Sequence, residues 1–594
     1  MAGHTIPHRL LERAKNQPEV VAIRYKERDV WVDITWKEYA EATQRAARAL
    51  ISLGVEKGSK TCILGFNRFE WVVFDVAAMM VGGIPAGIYE TCSSEEVAYI
   101  IAHSEAAVVL VENEGQLAKI MKEKEKLPHL KHIVLMRGAI SNQDAVYTWE
   151  NFLLGGERIP EEEVQKRMKS LKESDAATFI YTSGTTGPPK AVMLSHRNLT
   201  WTADVSINML SISENKESGV SYLPLSHIAE QMFTIHAPIS VGWSVAFAES
   251  KEKLLDNLKE IQPTILFGVP RVWEKFQAGV SSKLKQAKGI KKLILNWARK
   301  TATQYHAALN AGKEPSEKLK KRYNRAKKLV FIKLKTALGL VNARYCISGA
   351  APISAEILEF FASLDIPIYE VYGQSEDCGP TSFNQPGKTR YGSVGPPLPG
   401  MEIKIAEDGE VLARGPNVFL GYYKEEAATA ETLVDGWLLS GDIGYFDDDG
   451  FLWITGRKKE IIVTSGGKNI SPSNIENALK NIELISQAVV IGDQRNFLTA
   501  LLTLDKETAK AFAEKNGINE NDLHKNATIW SEIQAGVDEV NSHFSRVENV
   551  RKFQILPRDL TISDGELTPT LKVKRRIVYK NWADVIEEMY ASNG

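Results

Sequence analysis

The chain is short of the features that would set it apart from ordinary globular proteins. Its 594 residues contain only four cysteines, Cys62, Cys92, Cys346 and Cys378. They lie far apart with no pair at metal-ligand spacing, which argues against a disulfide framework and makes a reducing, cytoplasmic compartment the natural one. Net charge is also missing, since 73 Lys and Arg face 74 Asp and Glu, a formal balance of -1. That excludes a nucleic-acid binder working by overall positive charge. Long uncharged hydrophobic runs are absent. The most apolar stretch, Trp71 to Ile88, is broken by Asp75, Gly82, Gly83 and Pro85, which predicts a buried helix closed by glycine and followed by a strand, not a membrane span. Met1 to Pro18 carries His4, Arg9, Glu12 and Arg13 without an apolar run, so no signal peptide is expected. The final Ala-Ser-Asn-Gly matches neither a prenylation box nor a peroxisomal tripeptide. These readings point to a soluble protein.

What is present is the texture of an α/β chain. A hydrophobic fraction of 44% and a charged fraction of 25% are ordinary, and the length requires more than one folding unit. Continuous apolar runs at Thr61 to Phe66, Ala107 to Glu112, Ile133 to Met136, Ala177 to Tyr181, Ile265 to Val269 and Ala343 to Ile347 predict strands buried on both faces. Helical stretches such as Phe69 to Val81 lie between them, so the sheets should be mainly parallel. From Met401 to Trp453 the pattern changes to short strands with turns at Asp408-Gly409, Asp435-Gly436 and Asp449-Gly450. A boundary near Gly456 precedes a smaller α+β segment. No internal repeat is visible.

One segment breaks the neutral balance. Between Lys283 and Lys335 seventeen Lys or Arg face only Glu314 and Glu317. Leu319, Tyr323, Ala326, Val330 and Leu334 recur at helical spacing there, an apolar stripe on a basic helix. The plain reading is a solvated face on a packed helix. The alternative is a basic face for anionic lipid, a peripheral membrane contact, or for phosphates.

The strongest local signal is Tyr181-Thr-Ser-Gly-Thr-Thr-Gly-Pro-Pro-Lys190, directly after a predicted strand. Hydroxyls and glycines at Thr182, Ser183, Gly184, Thr185, Thr186 and Gly187 can turn backbone N–H groups and hydroxyls toward one anion, and Lys190 adds a fixed charge. A triphosphate suits such a loop. The spacing is not GxxxxGK[ST], so this is no P-loop. A flexible Ser/Thr/Gly connector is the bland alternative.

This string resembles the AMP-binding signature of the adenylate-forming superfamily, which includes acyl-CoA synthetases, aryl-CoA ligases, beetle luciferases and peptide-synthetase adenylation domains. The resemblance covers nearly the whole chain. Ser348-Gly-Ala-Ala-Pro352 is similar to its adenine-side loop. Glu370-Val-Tyr-Gly-Gln-Ser-Glu376 is similar to its YGxTE motif, with Ser375 for the usual Thr. Asp435-Gly-Trp-Leu-Leu-Ser-Gly-Asp442 resembles DGWxxTGD, Gly456-Arg-Lys-Lys-Glu460 the hinge motif, and Ser465-Gly-Gly-Lys-Asn-Ile-Ser-Pro472 the CoA-side loop. The resemblance implies a large N-terminal domain, residues 1–456, of parallel-rich αβ layers with a small β-barrel-like part, and a smaller mobile α+β C-terminal domain, residues 457–594, hinged near Lys459.

It also implies roles. Glu376, with Thr185, is expected on the Mg2+ side, since a carboxylate can hold the ion that bridges phosphate oxygens. Asp442 is an acceptor-only group for ribose hydroxyls, and Arg457 a forked donor to ribose or phosphate. Tyr372 offers a flat face for adenine, while Glu370 and Gly349, Ala350 and Ala351 are expected to read its edge. Gly373 and Ser375 complete the nucleotide loop. Gly466, Gly467 and Lys468 are expected on the CoA side.

Leu567-Thr-Pro-Thr-Leu-Lys572-Val-Lys574-Arg575-Arg576 resembles the last family motif. Aligning Arg575-Arg576 with its arginine pair makes Lys572 the catalytic lysine and Lys574 the runner-up. Leu571 stands where the motif usually has Gly. A solvated basic run opening a helix is the alternative. Such a lysine serves acyl-adenylate formation electrostatically, then leaves as the small domain rotates for thioester formation.

Leu223-Pro-Leu-Ser-His227-Ile-Ala-Glu230 and Phe267-Gly-Val-Pro-Arg-Val-Trp-Glu-Lys275 are similar to long-chain fatty acyl-CoA synthetases. Ile88-Tyr-Glu-Thr-Cys-Ser-Ser-Glu-Glu-Val-Ala-Tyr99 narrows this to the bubblegum-like subgroup. His227 is expected beside the acyl carboxylate, a satisfied core histidine being the alternative. The implied substrates are a long-chain fatty acid, ATP and CoA. An acyl-AMP ligase loading a carrier protein is the rival within the family, and a silent nucleotide-binding scaffold the rival outside it.

Overall fold

The structure is a computed structural model that describes residues 5–139, 145–182, 188–519, 522–568 and 571–591. Two eight-stranded sheets dominate it. One runs in the order Gly421–Tyr422, Lys190–Ser195, Ala176–Thr182, Ile84–Ile88, Lys60–Leu64, Val108–Val111, His132–Leu135, Val146–Thr148. The other runs Ser382–Phe383, Ile368–Tyr372, Tyr345–Ser348, Ile265–Gly268, Ser218–Ser221, Ser244–Phe247, Val21–Glu27, Val30–Thr35. Their central pairings are parallel, and antiparallel strands sit toward the edges.

Core membership explains the uninterrupted apolar runs. In the strand Lys60–Leu64, Ile63 faces the core it shares with the helices Trp36–Ser52 and Phe69–Met80, while Cys62 and Leu64 face the helix Ser94–Ser104 on the far side. The second sheet behaves alike. Ile265 and Phe267 point to the shared helical layer, and Leu266 packs with Trp273 and Phe361 outside. Helices therefore lie between the sheets and on both outer faces, and each inner strand is buried twice over. The helix Phe69–Met80 ends as the sequence predicts, with Gly82 at φ +81 behind it. Asp75, midway along it, is fully buried, and neither carboxyl oxygen has a hydrogen-bond partner among the described residues. Burial raises its pKa well above the usual range, so it is held as a neutral acid.

The region expected to be barrel-like is an antiparallel five-stranded sheet of Glu402–Ile405, Glu410–Arg414, Trp437–Phe446, Leu433–Val434 and Leu452–Arg457, with no pairing that closes it among the described residues. Its Asp435-Gly436 turn has positive φ at both residues, 50 and 76 degrees, the tight hairpin signalled by that dipeptide. From Ile462 onward separate cores form. The sheet Ile485–Ile491, Leu498–Leu504, Val550–Ile555 packs the helices Pro472–Lys480 and Ala527–Ser542 on one face, and Arg575–Asn581 and Ala583–Ala591 on the other.

The basic segment corrects one expectation. Its stripe is not carried by one regular α-helix. After Glu317–Ala326 comes a wide π-type turn, Lys327–Phe331, before Ile332–Ala337. The extra residue rotates Phe331 into the core beside Ala326, while Val330 and Leu334 are only partly buried.

Candidate functional site

Two antiparallel strands, Ala176–Thr182 and Lys190–Ser195, flank the string expected to take phosphates, and their ends pair Thr182 with Lys190. Ser183, Gly184, Thr185, Thr186 and Gly187 lie outside the described residues. A strand on each side of the string departs from the strand and helix that flank a P-loop. The edge pair Gly421–Tyr422 lies against Lys190–Ser195, which sets the Tyr422 ring 5.1 Å from Lys190 Nζ. The Tyr422 hydroxyl donates to Glu376 Oε1 at 2.8 Å. One tyrosine thus ties the phosphate-side lysine to the carboxylate.

Glu376 sits in the short turn Ser375–Asp377, just past the strand Ile368–Tyr372. The turn is clamped from below. Buried Asp377 accepts the Gln374 backbone N–H at 2.6 Å and bonds the Thr381 hydroxyl. Burial lifts its pKa to about 8 against those bonds. Gly373 has no room for a side chain, since a Cβ there would stand 1.6 Å from the Gly379 carbonyl oxygen.

Asp442 and Arg457 are direct cross-strand partners, and Arg457 Nε lies 2.7 Å from Asp442 Oδ1. The other Asp442 oxygen accepts from the Tyr372 hydroxyl at 2.7 Å and from Gln374 Nε2 at 2.8 Å. Of roughly four acceptor directions on a carboxylate, about one is left open. Ser348 and Glu370 pair on adjacent parallel strands, so the adenine-side loop and the YGxTE-like turn emerge together at the carboxyl edge of the sheet, where α/β folds bind ligands. Gly349 lets the neighbouring strand approach, because a Cβ would meet Val371 Cγ1 at 2.6 Å. Ala350 has φ +67, and Ala351 is exposed. Glu370 is buried, with Oε2 accepting the Gly392 N–H at 3.0 Å. Burial raises its pKa to about 8, so it is protonated at neutral pH.

His227 caps the short helix Ile228–Gln231, its Nδ1 accepting the Ala229 N–H at 3.1 Å. Burial, and then the charge of Lys572, lower its pKa to about 4. The ring is therefore neutral, and with Nδ1 accepting, Nε2 carries the proton. Glu230, on the same helix, anchors this loop. Its Oε1 accepts from Ser221 Oγ at 2.7 Å, Thr234 Oγ1 at 3.0 Å, the Tyr222 N–H at 3.1 Å and Asn67 Nδ2 at 3.4 Å. Asn67 also spans the loop, donating to the Leu223 carbonyl and accepting from the Leu225 N–H. Burial moves the Glu230 pKa to about 7 against these bonds. A π-type turn, Met232–His236, follows and brings Thr234 onto Glu230. Such turns recur at functional sites.

The C-terminal lysine acts on the same cluster of charged groups. Lys572 is solvent-accessible by area but stands deep among protein groups, and desolvation, followed by Arg457, lowers its pKa, while Asp442, Glu376 and Glu460 oppose the shift. Lys574 instead opens the helix Arg575–Asn581. Leu571, in the place of the usual Gly, has φ +62, a conformation costing a side-chain-bearing residue roughly 1–2 kcal/mol. Around the expected hinge, Lys458 is held by Asp408 and Glu410, Glu460 faces Arg575 at 3.6 Å, and Lys459 between them is exposed. Gly466, Gly467 and Lys468 form an exposed turn, with the Gly467 N–H bonded to the Thr464 carbonyl.

Residues 10–423 match the AMP-binding enzyme family, and residues 459–594 match the AMP-binding enzyme C-terminal domain. The chain belongs to the AMP-binding enzymes. It is 39% identical over 622 residues to the long-chain-fatty-acid–CoA ligase ACSBG2 of Xenopus laevis, covering 99% of this chain and 84% of that protein. It is 37% identical over 590 residues to the long-chain-fatty-acid–CoA ligase FadD15 of Mycobacterium bovis, covering 98% and 96%. Among solved structures, the o-succinylbenzoate coenzyme A synthetase of Bacillus subtilis with ATP and magnesium superposes with a TM-score of 0.67 at 22% identity, over 96% of this chain and 98% of that one. That likeness shows a shared fold. The bubblegum-like, long-chain character read from the motifs agrees with the first of these relatives.

For this AMP-binding enzyme the structure adds residues that sequence reasoning missed. Tyr422, Asn67 and Asp377 lie outside every motif considered, and Gln374 fills a position of the Glu370–Glu376 string that was given no role, yet they hold Glu376, Asp442 and the His227 loop. Glu230 lay within a quoted motif, and as the one acid of the helix Ile228–Gln231 it could have been flagged. Tyr422 offered no such signal, since its partners lie on two other elements.

Proposed function

We propose that this AMP-binding enzyme is an ATP-dependent long-chain fatty acid–CoA ligase, joining acid to AMP with release of pyrophosphate and then passing the acyl group to CoA. The observation that carries the proposal is the convergence of Lys190, Glu376, Asp442 and Lys572 at one cleft, in a chain that aligns end to end with ligases named for that reaction. Lys190 and the loop before it take the phosphates. Asp442 and Arg457 share the ribose, since Asp442 alone has too few open acceptor directions. Tyr372 and the loop Gly349 to Ala351 flank the base. The Nε2–H of neutral His227 meets the acyl carboxylate, and the Lys572 ammonium lies over the reacting charges, where a fixed cation acts most strongly.

Mg2+ suits Glu376. Tyr422 holds one of its oxygens, and the other accepts no hydrogen bond from a described residue, which leaves one carboxylate oxygen for an ion that commonly takes one or two carboxylates beside phosphates. When bound, it neutralises phosphate charge. Thioester formation needs Lys572 withdrawn. Lys459, between an anchor on residues 408–410 and one on Arg575, is the residue that can turn, carrying the residues that follow it so that Gly466 to Lys468 face the nucleotide. The rival acceptor, a carrier protein, is separated by one assay. AMP release is followed with acids from medium to very long chain, with and without free CoA. A CoA requirement and a long-chain optimum are expected, whereas release independent of CoA would favour the carrier-loading reading.

A further inference from the structure

The lysine-rich helical hairpin, residues 283–337, has a surface that the site does not use. The helix Gly289–Asn310 runs against Glu317–Ala326 and its π-turn extension, joined by Ala298, Ala302, Ala326 and Phe331. The hairpin is rigidly seated. Tyr305 and Tyr323 stack at 3.8 Å, and buried Asp365 takes the Tyr323 hydroxyl at 2.7 Å and His306 at 3.0 Å. Arg299 bonds Ser363 and covers Phe360.

Beyond this seat the first two turns, residues 289–296, are exposed at every position except Leu295, which is half-buried. Ile290 is 75% exposed, Leu293 69% and Leu329 60%, with Ile294 and Ile332 also exposed. These apolar side chains stand among cations. Lys288, Lys291, Lys292, Lys327, Lys328 and Lys333 are exposed and form no ion pair with a described residue. A solvated face would not need five large aliphatic residues held in water, and a purely electrostatic partner would not reward them. Apolar residues flanked by unpaired lysines on a fixed helix are the composition of an interfacial helix that lies on lipid. No described helix is long and apolar enough to cross a membrane, so the contact is peripheral.

We propose that this hairpin docks the protein on an anionic bilayer, with Ile290, Leu293 and Leu329 entering the headgroup–acyl boundary and the lysines facing lipid phosphates. The inference stands apart from the adenylation reading. Its consequence for the proposed reaction is access to an acid dissolved in the bilayer.

The test is flotation of the full chain with vesicles of equal parts phosphatidylcholine and phosphatidylglycerol, and with phosphatidylcholine alone. Each lysine near an anionic surface raises partitioning about five-fold. Reversing Lys291, Lys292, Lys327 and Lys328 to Glu should therefore lower binding at least about 100-fold. The double variant Ile290→Ser, Leu293→Ser, which keeps every charge, should lower it about ten-fold or more. Turnover of a short, water-soluble acid, unchanged in both variants, shows that they are folded. Binding to anionic vesicles that ignores either set of substitutions overturns the proposal. So does equal binding to neutral vesicles. Loss of vesicle binding to a competing polyanion, with the serine variant indistinguishable from wild type, would assign the face to nucleic acid or an acidic protein instead.

Discussion

Replacing Tyr422 with Phe removes one atom from the site and isolates one bond. The hydroxyl donates to Glu376 at 2.8 Å, and the ring, which stays, lies 5.1 Å from Lys190 Nζ. A hydrogen bond to a charged group is worth about 1.5–3 kcal/mol. If Glu376 must be held to act on the phosphates, its loss should slow adenylation between about ten-fold and a hundred-fold. Tyr422→Leu removes the ring as well, and a cation–π contact of about 0.5–1 kcal/mol predicts a further two- to five-fold. Pyrophosphate exchange measures the first half-reaction, and acyl transfer from preformed acyl-AMP to CoA the second. The Phe variant should be impaired only in the first. Unchanged exchange, or equal loss in both halves, would refute the placement of Glu376 as the residue that Tyr422 serves.

Lys572→Ala should lower pyrophosphate exchange by about 10²–10³, the usual cost of removing one preorganised donor, while transfer from preformed acyl-AMP stays near wild type. Lys574→Ala should change neither step appreciably, and the reverse pattern would exchange the two assignments. Glu230→Gln keeps the acceptor for Ser221, Tyr222 and Thr234 but removes a titration. The folded Glu230 carboxyl holds its proton to about pH 7 against 4.5 unperturbed. The wild-type protein therefore has this contribution in full below pH 4.5 and loses it as pH rises through about 7, at most roughly 3 kcal/mol. The melting temperature of wild type should fall relative to the Gln variant across that window and run parallel above about pH 8. A gap independent of pH would mean that the carboxyl is ionised throughout.

The legible parts of this chain were those where one physical demand acts locally. A strand buried on two faces must be apolar throughout, so Thr61 to Phe66 read as a strand, and Lys60–Leu64 is one. A tight hairpin needs positive φ, so Asp435-Gly436 announced itself. The candidate site was legible to the extent that it lies in contiguous strings, which covers Lys190, Glu376, Asp442 and Lys572. Its supports were not. Tyr422 acts across 46 residues on Glu376 and through a strand pairing on Lys190, and no local pattern encodes such a meeting. The π turn at Lys327–Phe331 was hidden because its residues suit an α-helix equally well. Leu571 shows the converse. The sequence marked it as a departure, and only its φ of +62 explains what the customary Gly would relieve. Glu370 was expected to read the adenine edge, and one of its carboxyl oxygens accepts the Gly392 N–H, a partner that no local pattern encodes.

All of these roles require that ATP and a carboxylate react in this cleft before CoA takes part. The direct measurement is incorporation of labelled pyrophosphate into ATP by the purified protein with Mg2+ and palmitate, in the absence of CoA. Exchange that depends on the fatty acid and disappears in Lys572→Ala is the result predicted. No exchange with any fatty acid, from a protein shown to be folded, would contradict the account.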